Sequence, residues 1–133
     1  MTQEEKELLL KDLCSRLPYG VKGLHRGEKR ELLVMDSFGS YQVNEYDAWF
    51  DLNSVIFKPY LFPLSSMTEE QEREYNTLRD FVYTHHYEYE DIVEDMGLYD
   101  NWRSIDYLNA NHFDYRGLIE KGLALDATGL NIY

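Results

Sequence analysis

The side chains best suited to chemistry lie close together near the end of the chain: Asn109, Asn111, His112, Asp114, Tyr115 and Arg116. An imidazole can take a proton from water, a carboxylate can orient that imidazole, and a guanidinium can hold an anion. His112 with Asp114 and Arg116 is therefore the candidate catalytic set, as in a small hydrolase-like enzyme. Tyr115, Arg116 and His112 are the candidate binding residues. The set lacks company. No nucleophile motif accompanies it, and no glycine-rich oxyanion or phosphate loop is present. Asn111, His112 and Asp114 are also the residue types that cap and link two helices. The sequence favours that structural role over catalysis.

A second cluster, His85-His86 followed by Glu88, Glu90 and Asp91, raises metal binding. Adjacent helical residues point about 100° apart, so the two imidazoles do not easily share an ion. There is no HExxH and no cysteine pair. No metal and no cofactor are expected. The single cysteine, Cys14, excludes an internal disulfide and suits a reducing compartment.

The elements that must position these groups follow from periodicity. Thr2 and Glu5 form a capping box opening a helix whose buried stripe is Leu9, Leu10, Leu13, Cys14 and Leu17, with Leu8 at its edge. Cys14 reads as a small core residue. Pro18 and Gly20 end the helix. Val21–His25, Arg30–Asp36 and Tyr41–Tyr46 read as strands joined by tight turns, an antiparallel meander. Val55-Ile56-Phe57 could add a short fourth strand. Pro59 and Pro63 make a central strand over 58–63 unexpected. Thr68 and Gln71 open a long helix that runs to about His85, burying Tyr75, Leu78, Phe81 and Val82. Asp91–Met96 could form a short helix closed by Gly97. Ser104 caps a further helix that Asn111 ends in a left-handed conformation. Asp114 caps another, closed by Gly122. Ala127 to Tyr133 reads as a loose tail. Together these predict an α+β fold in one domain, residues 1–133. A small antiparallel sheet of three to four strands packs with an N-terminal helix, a central helix and a C-terminal pair of short helices.

Charge narrows the partners. The chain carries a net charge of −12. Met67 to Asn101 has eleven acidic and two basic residues, while Arg16 to Arg30 has five basic and one acidic. Overall acidity opposes phosphate-backbone binding. The expected helix-link-helix has no basic face for a DNA groove. A role for the acidic segment in mimicking nucleic acid stays open beside the plainer reading of solvated helix faces. No apolar run approaches the roughly 20 residues of a membrane span. The first residues, Met-Thr-Gln-Glu-Glu-Lys-Glu, are acidic and helical in character, unlike a signal peptide. A cytoplasmic location is expected. The 12 tyrosines suit protein contact surfaces, since the ring packs while the hydroxyl stays wet.

Three blocks carry a resemblance. They are Leu13-Cys-Ser-Arg-Leu-Pro-Tyr-Gly-Val21, Lys58-Pro-Tyr-Leu-Phe-Pro-Leu-Ser-Ser-Met-Thr-Glu-Glu-Gln71, and Asp106 to Leu125 with its Tyr107-Leu-Asn-Ala-Asn-His-Phe-Asp-Tyr-Arg-Gly-Leu-Ile119 core. With them the chain resembles a family of short, uncharacterised proteins of gut-type bacteria and their phages and mobile elements. The resemblance covers most of the chain and is weakest between the first two blocks. It implies a setting and no chemistry. The expectation is a non-enzymatic accessory protein that binds another protein through a tyrosine-rich surface; a homodimer is also open. The alternatives are the His112/Asp114 hydrolase and the acidic nucleic-acid mimic.

Overall fold

The structure, a computed structural model, describes residues 1–85 and 102–133, the side chains of 80–85 excepted. The short helix expected over Asp91–Met96, the His86, Glu88, Glu90 and Asp91 side chains, and those of Phe81, Val82 and His85 lie outside what is described. The fold is α+β. Among the described residues there are three α-helices: α1 (Gln3–Arg16), α2 (Glu69–His85) and α3 (Trp102–Ala110). The strands are β1 (Val21–His25), β2 (Glu28–Met35), β3 (Ser40–Val43), β4 (Phe50–Asp51), β5 (Lys58–Pro63), β6 (Phe113–Asp114) and β7 (Leu125–Asp126).

Both long helices start as their sequences predict. Thr2 and Glu5 exchange hydrogen bonds at 2.9 and 3.1 Å, and Thr68 and Gln71 do the same at 2.9 and 3.1 Å. Each pair satisfies two amides that a helix start leaves free. The β1–β2 hairpin turns on Arg26 and Gly27, with φ of 52° and 80°. Two successive positive φ values match the twist of the flanking strands.

The sheet is larger than expected and mixed. Its strands run in the order β4-β3-β2-β1-β5-β6, with β7 also paired to β5. The meander β1–β4 is antiparallel. The stretch 58–63, where the two prolines made a central strand unexpected, is β5, inside the sheet rather than outside it. Its one edge meets β1 antiparallel; its other edge carries two short parallel strands in succession, β7 at Tyr60–Leu61 and β6 at Phe62–Pro63. Pro59 is tolerated because it sits opposite Gly23, near where the β1–β5 ladder stops. Gly23 itself is required: a Cβ there would stand 2.5 Å from the Phe57 ring and 2.5 Å from the Lys58 carbonyl oxygen. Val55–Phe57 forms no strand; it delivers Phe57 to the core.

Alternate residues of β1, β2, β3 and β5 (Val21, Leu32, Tyr41, Val43 and Leu61) bury against Leu9 and Leu13 of α1, with Leu52, Phe57, Leu118 and Leu123 closing the core. The stripe of α1 is turned from the expected one. Asp12 and Arg16 are buried on it, and Cys14 is exposed. Leu9 and Leu13 define an inward direction that Asp12 and Arg16 share at helical spacing, whereas Cys14 lies one residue round.

The C-terminal pair of helices is a single helix. α3 already includes Ser104, which is buried inside its first turn rather than capping it. The left-handed residue after the helix is His112 (φ 62°), not Asn111. Phe113 and Asp114 then pair with Phe62 and Pro63, and Gly117 takes φ 73°, so residues 115–122 form turns instead of a second helix. The helix-link-helix expected over residues 104–122 is not formed. The expected loose tail is docked: Ala127 is buried and its amide donates to Leu61 O at 2.8 Å.

Candidate functional site

The polar constellation read from the sequence is divided among three structural tasks. Asp114 performs the first. Its Oδ1 accepts the Leu118 amide at 3.0 Å and its Oδ2 the Ile119 amide at 2.9 Å. The capping role expected of it is real, although it caps a turn. With both oxygens bonded to backbone, the carboxylate does not orient the imidazole of His112.

Arg116 and Tyr115 belong to the second, a buried ionic clamp that also contains two residues the sequence reading passed over. Asp12 Oδ2 accepts Arg16 Nε at 2.8 Å and Asp12 Oδ1 accepts Arg116 Nη1 at 2.8 Å. Arg16 Nη2 donates to Phe113 O at 2.7 Å. Arg16 and Asp12 are 0% exposed, and the Arg116 side chain 15%. The two guanidinium carbons stand 5.3 Å and 4.6 Å from the centroid of the Tyr115 ring. That ring supplies a π-face for cations whose water has been removed. The Tyr115 hydroxyl donates to Asn109 Oδ1 at 2.9 Å, which ties α3 into the same unit. The clamp thus joins α1, α3, β6 and the turn after it. Arg16 Nη1 has no hydrogen-bond partner among the described residues.

His112 serves the third. Its carbonyl accepts the Phe62 amide at 2.8 Å, linking α3's end to β5. Its ring stacks on Tyr133, 3.5 Å between centroids and 9° from parallel. Burial, reinforced by Arg16 and Lys22, lowers its pKa to about 4. The imidazole is neutral at neutral pH and a weak base there, while a general base works best with a pKa near the working pH. Its Nδ1 is buried with no partner among the described residues.

Tyr133 is the other residue the sequence did not single out. Its hydroxyl accepts the Lys22 amide at 3.1 Å and lies 3.2 Å from Lys22 O and 3.0 Å from Tyr60 O. The β1–β5 ladder pairs Leu24 with Lys58 and Gly23 with Pro59, and a further step would bring Lys22 opposite Tyr60. Tyr133 takes the backbone groups of that step instead. Although 40% of the residue stays exposed, burial pushes its phenol pKa to about 12.

Another histidine, fully buried, lies at the far end of β1. His25 Nδ1 is 3.1 Å from the Tyr41 hydroxyl, which donates its one proton to Val55 O at 2.6 Å. The hydroxyl therefore accepts, and His25 carries its proton on Nδ1. Tyr41, Tyr46 and Phe50 surround the ring, with centroids 5.9, 5.8 and 4.4 Å away. This is a packed aromatic cluster.

A signal for the clamp was present in the sequence. Asp12 and Arg16 are spaced i,i+4 on the same stripe as Leu9 and Leu13. Nothing local signals Tyr133. Among the described residues, no group of three or more His, Cys, Asp or Glu side chains could hold a metal ion, and no helix is long and apolar enough to cross a membrane. No protein-family model, curated protein or solved structure matches the chain.

Proposed function

We propose that this is a non-enzymatic accessory protein that acts by binding another protein, of the kind carried by phages and mobile elements of gut-type bacteria. The observation that carries the reading is the set of large apolar side chains standing in solvent on the β2–β4 meander: Phe38 is 81% exposed and Trp49 56%, and Leu33 and Val34 of β2 are exposed as well. Exposed tryptophan and phenylalanine weaken solubility and gain their value when a partner covers them. Tyrosines belong to this surface as well as tryptophan and phenylalanine: among the described residues Tyr19, Tyr46 and Tyr133 are exposed, whereas Tyr41 is buried and Tyr115 packs against two arginines.

The hydrolase reading needs an imidazole held by a carboxylate, and the Asp114 oxygens are bonded to the Leu118 and Ile119 amides. The mimic reading rests on segment 67–101, of which 86–101 lie outside the described residues. The phage setting rests on the three sequence blocks alone.

The test is affinity capture from a bacterial host lysate with the wild-type chain and with the Phe38→Ser/Trp49→Ser double variant. A specific protein retained by the first and lost by the second is the expected result. Failure of the wild type to retain a specific protein in repeated captures, or equal retention by both, would remove the reading.

A further inference from the structure

The segment 127–133 lies across the seam between β1 and β5, and one ring stack and a few hydrogen bonds hold its far end there. At its near end the Ala127 amide donates to Leu61 O. At its far end the Tyr133 hydroxyl takes the backbone groups of Lys22 and Tyr60, and Lys22 Nζ donates to Ile132 O at 3.1 Å. The Tyr133 ring lies on His112 on one side and 6.2 Å from Phe62 on another.

The groups facing His112 are nearly all unfavourable to a second proton. From α1 comes Arg16, from β1 Lys22, and from the segment itself the phenol of Tyr133. The nearby acids are occupied: Asp12 by two arginines and Asp114 by two amides. An imidazolium must donate from both ring nitrogens, and buried Nδ1 has no acceptor among the described residues. A proton on His112 would therefore create a buried donor without an acceptor and a third cation beside Arg16 and Lys22. Stacking of the imidazolium on the Tyr133 face recovers only part of that loss.

We infer that residues 127–133 form a strap that closes on the β1–β5 seam while the His112 ring is neutral and opens when that ring is protonated. Opening removes Tyr133 from the seam and uncovers Tyr60 and Phe62. The device does not depend on the proposed partner, since every contact in it is internal.

Hydrogen exchange read residue by residue on the full chain tests this directly. The reporters are the amides of Ala127 and Lys22, which the strap protects, against the amide of Leu13, a buried residue of α1. Between about pH 7 and about pH 4.5 the protection factors of Ala127 and Lys22 are expected to fall about tenfold or more while Leu13 stays protected. In His112→Phe, which keeps a ring and cannot titrate, the two protection factors should not change with pH. Should that variant lose Leu13 protection at neutral pH, His112→Asn replaces it; asparagine accepts the positive φ, and its strap protection should be lower but equally independent of pH. Three results would overturn the inference: an acid-insensitive strap in the wild type, the same acid response in the variants, or loss of Leu13 protection in step with the strap.

Discussion

Asp12 and Arg116, 104 positions apart in the chain, meet at 2.8 Å, and the same carboxylate holds Arg16 through its other oxygen. One buried acid thus fixes the N-terminal helix to the turn after β6. This contact explains why Arg116, which looked like an anion holder, stands where it does. Removing the acid leaves a fully buried guanidinium unbalanced. Asp12→Ala should destabilise the fold by about 3–5 kcal/mol, and Arg116→Ala, whose side chain is partly exposed, by about 1–2 kcal/mol. Urea denaturation of the two single variants and the double variant checks both values. The double variant should cost less than the sum of the two.

Asp114 should behave as a cap. Asp114→Ala leaves the Leu118 and Ile119 amides without their acceptor and should cost about 1–3 kcal/mol. Exchange of those two amides should accelerate in the variant before any other part of the core responds. Unchanged protection at both amides would show that the carboxylate is free for another purpose.

Gly23→Ala should be among the most damaging small changes. The added methyl meets the Phe57 ring and the Lys58 carbonyl, both at 2.5 Å. The expected loss is about 1–3 kcal/mol. Because the carbonyl is backbone, adding Phe57→Leu should not restore the lost stability. Thermal unfolding of Gly23→Ala alone and combined with Phe57→Leu separates the two obstacles.

Acid should weaken the fold in two stages. His112 has its pKa lowered from about 6.5 to about 4, chiefly by burial, and that of His25 is lowered for the same first reason. A histidine lowered in the folded state contributes its full stability above its ordinary value, and that contribution is lost as pH falls from about 6.5 toward the folded pKa. Asp36 and Asp126 are lowered from 3.8, by the Ser40 amide and by Thr128 respectively, so their contributions are lost only further down. Denaturation midpoints measured across this range should fall below about pH 6.5, and His112→Phe should flatten the upper stage without abolishing it, since His25 remains.

What was legible in the sequence was local. Thr2 with Glu5 and Thr68 with Gln71 announced two helices because a capping box is complete within four residues. The β1–β3 meander was legible for the same reason, its turns lying between alternating strands. The sheet beyond β1 was not. β6 and β7 are two residues each, too short for any periodicity, and they pair with β5 from far along the chain. The second C-terminal helix was a reasonable expectation from Asp114 and Gly122. Gly117 in the left-handed region and the pairing of Phe113–Asp114 with β5 overrode it. The constellation was legible as a set of residues but not as an arrangement. Asp114 and His112 are two apart in sequence and serve different neighbours, while Arg116 is completed by Asp12 and His112 by Tyr133.

The most direct measurement is the affinity of the captured partner protein for the purified chain, compared by titration calorimetry between wild type, Trp49→Ala and His112→Asn. If Trp49 on the meander is a contact residue, Trp49→Ala should weaken binding by about 30-fold or more, the size expected on truncating an interface anchor. His112→Asn should bind within about threefold of wild type near neutral pH. Equal affinity for wild type and Trp49→Ala, or loss of binding in His112→Asn alone, would contradict the proposal and return attention to the region around His112.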